Sequence, residues 1–61
     1  MKKNIVKYKE NKEGIVRVVS INGARVEEVN YFDMEDFTSN IGEIVYLITG
    51  SYEFSLKKCI F

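Results

Sequence analysis

The stretch Ile15-Val16-Arg17-Val18-Val19-Ser20-Ile21-Asn22-Gly23-Ala24-Arg25-Val26 decides the fold class. Its first half is dense in β-branched residues, which resist helix and fit a pleated surface. Asn22-Gly23 is the strongest local signal in the chain. A two-residue type I′ turn needs positive φ at both central positions, which asparagine tolerates and glycine adopts freely. A turn of that length sets a register. Ile21 then opposes Ala24, Val19 opposes Val26 and Arg17 opposes Glu28 on one face. On the other, Ser20 opposes Arg25, Val18 opposes Glu27 and Val16 opposes Val29. The opposite charges of Arg17 and Glu28 suit that pairing.

Upstream, Ile5 to Lys9 reads as a first strand, with Val6 and Tyr8 alternating with Lys7 and Lys9. Asn11-Lys12-Glu13-Gly14 is polar, ends in glycine and reads as the loop between the first two strands. Downstream, a short helix is expected over about residues 33–41. Asp33 suits the N-cap, Asp36 stands three residues on as in a shortened capping box, and Phe32 and Phe37 occupy the positions of a hydrophobic staple. Met34, Phe37 and Ile41 share one helix face, and Gly42 suits the left-handed residue that ends a helix. A second hairpin is then expected, with Glu43 to Thr49 and Tyr52 to Lys58 flanking a Gly50-Ser51 type II′ turn. Its pairs are Thr49 with Tyr52, Leu47 with Phe54, Val45 with Leu56 and Glu43 with Lys58.

The expected fold is therefore α+β and mostly antiparallel, a single domain over residues 1–61 in the order β-β-β-α-β-β. Its sheet would be small and curled, or a partly open barrel. That element order resembles the OB-fold, whose helix lies between its third and fourth strands. The resemblance spans the chain but rests on order alone.

Composition narrows the chemistry. The chain has 61 residues, no histidine and one cysteine, Cys59. An internal disulfide is excluded, no zinc-ligand spacing exists, and the commonest general base is missing. No catalytic residue, metal or cofactor is expected. Asp33, Glu35 and Asp36 are explained by the positive end of a helix dipole rather than by a cation site. No apolar run has the length of a membrane span or of a signal peptide, and a free thiol suits a reducing cytoplasm.

Charge is balanced in sum, nine against nine, but not along the chain. Residues 1–25 carry seven cations and two acids, whereas residues 26–56 carry seven acids and no cation. Apolar residues also occupy both faces of the central hairpin, and Ile44, Tyr46 and Ile48 stand on the outer face of the expected second hairpin. One short helix does not cover so much apolar surface. A homodimer is expected to cover it, through Ile44, Tyr46, Ile48, Cys59, Ile60 and Phe61. The acidic surface of Glu27, Glu28, Asp33, Glu35 and Asp36 is expected to meet a basic site on an unidentified protein target.

Size, neutrality and the missing catalytic groups look like those of small phage-encoded proteins that block a host enzyme or defence system by occupying a surface. That similarity implies a non-enzymatic inhibitor in the host cytoplasm. Nucleic acid is the disfavoured partner, because the chain as a whole is not basic. The alternative is an OB-like or SH3-like barrel holding single-stranded nucleic acid through Lys7, Tyr8, Lys9, Arg17 and Tyr31.

Overall fold

A computed structural model describes residues 3–27 and 29–59 of the chain. Five strands and one helix follow in the order β1 (Asn4–Glu10), β2 (Val16–Ile21), β3 (Ala24–Arg25), β4 (Asn30–Tyr31), α1 (Met34–Thr49) and β5 (Phe54–Lys58). The strands form one open sheet in the order β3-β2-β1-β5, with β4 also paired to β2. All pairings are antiparallel except β1 with β5, which is parallel. The expected class, α+β with one helix and mostly antiparallel strands, is the class observed. The sheet does not close into a barrel, and the helix follows the fourth strand, so the OB-like order is not found.

The central turn forms as its residues require. Asn22 has φ 54° and Gly23 φ 81°, and the first two rungs join Ile21 to Ala24 and Ser20 to Arg25. Beyond them the expected ladder fails. Val16 pairs with Tyr31 rather than Val29, and Arg17 with Asn30 rather than Glu28, which lies outside the described residues. Two extra residues bulge out between β3 and β4. A two-residue slip preserves which face each side chain takes, so Tyr31 still enters the core.

β2 carries a second irregularity on its other edge. Lys7 of β1 opposes Ser20, but the next residue, Tyr8, opposes Val18. Val19 has no counterpart and is the extra residue of a β-bulge. The bulge inverts the alternation along β2. Val16, Val18 and Ile21 all turn to the helix, and all three are buried. The hairpin's apolar residues on two expected faces thus become largely residues on one.

α1 lies across that face. Phe37, Ile41 and Val45, spaced four apart, are its buried residues, and they meet Val6, Val16, Val18, Ile21 and Tyr31 in one core. Asp33 is the N-cap, and its carboxylate accepts from the Asp36 N–H at 2.8 Å. The return bond runs from the Phe32 N–H to the Asp36 carboxylate, at 3.1 Å. The expected staple does not form. Phe32 is 86% exposed, and Tyr8 and Tyr31 flank the Phe37 ring instead, with centroids 5.1 and 5.4 Å away.

The helix does not stop at Gly42, and the second hairpin does not exist. Residues 43–49 are helical, so Ile44, Tyr46 and Ile48 stand on α1 and not on a strand. An apolar run bounded by glycine satisfies strand and helix patterns alike, and burial at the helical period decided between them. Gly50, at φ 76°, is the true stop, its N–H donating to the Tyr46 carbonyl at 2.7 Å. Tyr52, expected opposite Thr49, stacks on Tyr46 at 4.3 Å. The long helix carries the chain back across the sheet, so β5 enters beside β1 in the same direction. Asn4 joins the two ends of that crossover: its amide donates to the Thr49 hydroxyl and the Glu53 carbonyl, while its oxygen accepts from the Asn22 amide.

Two predictions test this packing. A Cβ built on Gly42 meets only Phe54 Cε1, at an ordinary 3.7 Å. Gly42→Ala should therefore raise stability by about 0.5–1 kcal/mol in urea unfolding, since glycine is a poor residue for a helix interior. The Tyr31 hydroxyl is buried with no hydrogen-bond partner. Burial, and secondarily the negative charge of Asp36, raises its pKa above the ordinary value of 10.0. The folded state thus favours the neutral phenol, a contribution present below pH 10 and lost as pH rises through the folded pKa. Tyr31→Phe should leave stability at neutral pH unchanged or raised by about 1 kcal/mol, and should lessen the loss of stability above pH ~10.

Candidate functional site: an apolar groove and a cationic sheet face

Two surfaces stand out, one on each side of the sheet. The first is a groove of about 510 Å³ between the C-terminal half of α1 and the β2–β3 hairpin. Val18 and Ile21 form its floor, Ile44 and Ile48 one wall, and Ala24, Val26 and Val29 the other. The groove exists because Val26, Glu27 and Val29 stand off the ladder, opening a space between hairpin and helix. Ile48 is 54% exposed, and Leu47, beside it on the helix, is 82% exposed. Ile44, Leu47 and Ile48 follow the i, i+3, i+4 spacing that places them on one side of the helix.

The second surface is the sheet face away from α1. Strand alternation and register place Lys7, Lys9, Arg17, Arg25 and Lys57 there. The described acids lie elsewhere. Asp33, Glu35, Asp36 and Glu43 belong to the helix and its cap, Glu13, Glu27 and Glu53 to loops, and Glu10 to the helix-side row of β1, where it pairs with Lys58 at 3.5 Å. The charge asymmetry along the sequence becomes an asymmetry between two layers.

The expected sites are regrouped by these surfaces. Of the dimer set, Ile44 and Ile48 share the groove, Tyr46 stacks on Tyr52, and Cys59 follows β5 with its N–H donating to the Tyr8 carbonyl. Ile60 and Phe61 lie outside the described residues. Of the acidic set, Asp33, Glu35 and Asp36 line a hollow beside Phe32, whereas Glu27 lines the apolar groove. Of the nucleic-acid set, Lys7, Lys9 and Arg17 share the cationic face, but Tyr31 is buried and Tyr8, partly buried, packs against the core on the helix side. Lys57 was missed, because only the pairing of β5 with β1 brings it beside Lys7, whereas Arg25 reaches this face through the expected Ser20–Arg25 rung. Leu47 was missed because the strand pattern placed it inside.

Among the described residues, no group of three or more histidine, cysteine, aspartate or glutamate side chains could hold a metal ion, and no helix is long and apolar enough to cross a membrane. Set against known protein families, curated proteins and solved structures, the chain matches none of them.

Proposed function

We propose that the chain is a non-enzymatic protein-binding module that acts as a homodimer. The observation that carries this is a knob beside a hole: the exposed Leu47 shares a side of the helix, by its spacing, with Ile44 and Ile48, which line an apolar groove of about 510 Å³. A two-fold interface brings the same patch of both copies together, so each residue that fills a pocket on the partner has its own pocket filled in turn. Leu47 of each copy enters the other's groove and covers Ile44 and Ile48. A chain of 61 residues gains from this, because small domains bury a modest share of their surface alone.

The dimer leaves the acidic helix start free. Phe32, ringed by Asp33, Glu35 and Asp36, supplies an apolar anchor with an acidic rim for a basic site on a target protein. In this proposal the module blocks its target by occupying that site, as a phage-type inhibitor of a host protein does.

Light scattering on size-exclusion fractions at about 100 µM should give twice the 7.1 kDa chain mass. Leu47→Asp, at an exposed position, should give the single-chain mass with unchanged circular dichroism. A wild-type monomer at that concentration contradicts the proposal, as does a Leu47→Asp variant that stays dimeric.

A further inference from the structure

Register resolves the cationic face into rows that cross the strands. One row runs Arg25 on β3, Ser20 on β2, Lys7 on β1 and Lys57 on β5, each directly beside the next. It holds three cations about Ser20, itself buried at 8% exposure, and spans three strand spacings, about 14 Å. The adjacent row runs Asn30, Arg17, Lys9. On the other side Ile5 lies beside Ser55. Lys9, Arg17 and Arg25 also line one hollow of about 290 Å³ with Val18, Val19 and Val26.

Placing Lys7 beside Lys57 works against the sheet, since like charges on neighbouring strands are destabilising. Among the described residues, Lys7, Arg25 and Lys57 form no ion pair that would offset this. The exposed polar groups that stand among these cations, Ser55 and Asn30, are neutral hydrogen-bonding side chains of the kind that contact phosphate oxygens. A surface of cations interleaved with such groups, and lacking described acids, complements a chain of regularly spaced phosphates.

We infer that this face binds single-stranded nucleic acid through its phosphate backbone, with the strand lying along the Arg25–Ser20–Lys7–Lys57 row. Single strands are favoured over duplex by shape and by Ile5. A broad sheet face backed by a helix does not enter a groove, whereas Ile5, 43% exposed beside the row, gives an unstacked base an apolar contact. Binding is expected to carry little base preference, because no aromatic ring stands on the face to stack a base and the row's cations engage phosphates. This site is separate from the groove and does not depend on dimerisation.

The test is fluorescence anisotropy with a labelled oligothymidylate of about 15 nucleotides. Affinity should fall roughly 20-fold between about 50 and 200 mM salt, as expected when about three phosphates are neutralised, one for each cation of the row. The row variant Lys7→Gln/Lys57→Gln should bind about tenfold more weakly. Lys12→Gln/Lys58→Gln, which removes the same charge elsewhere, should change affinity less than about threefold. Arg25→Gln, on the exposed two-residue β3, repeats the row test if the double row variant loses its circular dichroism. No binding at low salt overturns the inference. So does an equal loss in both double variants, tighter binding to a duplex of the same length, or competition by polyglutamate as effective as by unlabelled oligothymidylate. The last result assigns the face to an acidic protein instead.

Discussion

The fold depends on one unpaired residue in a central strand. β2 is flanked by β1 and by β3 and β4, and it supplies three of the core's aliphatic side chains. Strict alternation would place Ile21 on the side opposite Val16 and Val18. The bulge at Val19 cancels that difference, and the three stack beneath the helix. Everything on the helix side follows from it. The core is continuous from Val16 to Ile21, and one helix of sixteen residues is enough to cover it.

The same bulge shapes the outer face. Once Ile21 turns inward, Ser20 stands opposite Lys7 and Arg25, and the outward row across the sheet becomes polar and basic. Four of the eight described acids are gathered by the helix and its cap, and the others lie in loops or on the helix-side row of β1. A chain with no net charge is thereby strongly dipolar, which orients and attracts charged partners in a way that total charge does not reveal. Part of the apolar surplus that remains, Leu47 and Ile48, stands on the last helical turns, with Ile48 lining the groove beside Val26 and Val29.

How far the sequence was legible depended on how local each signal was. The Asn22-Gly23 turn and the Asp33 cap are specified by residues within a few positions, and both form as their chemistry requires. So does the Asn11–Gly14 loop, where the Asn11 side chain accepts from the Glu13 and Ile15 N–H groups. The helix length was not legible. Residues 43–48 are apolar at nearly every position, so no period shows, and Gly42 imitates a stop. Gly50 was recognised as a break but assigned to a hairpin, although its left-handed backbone serves a helix end equally well. The bulge has no local signature, since two valines in succession satisfy either register. Of the candidate sites, Ile44 with Ile48 and Lys7 with Lys9 and Arg17 survive as groups because short spacing joins them. Lys57 joins only through strand pairing between distant segments, and the parallel entry of β5 could not be read before the helix was known to run to Thr49.

The claim that one bulge gathers the core is tested most directly by methyl-selective nuclear Overhauser spectroscopy on the wild-type chain. The account predicts contacts from the methyls of Val16, Val18 and Ile21 to the side chains of Phe37, Ile41 or Val45, and none from Val19. Helix contacts from Val19, with Ile21 silent, would mean a regular strand and a different core, and would contradict it.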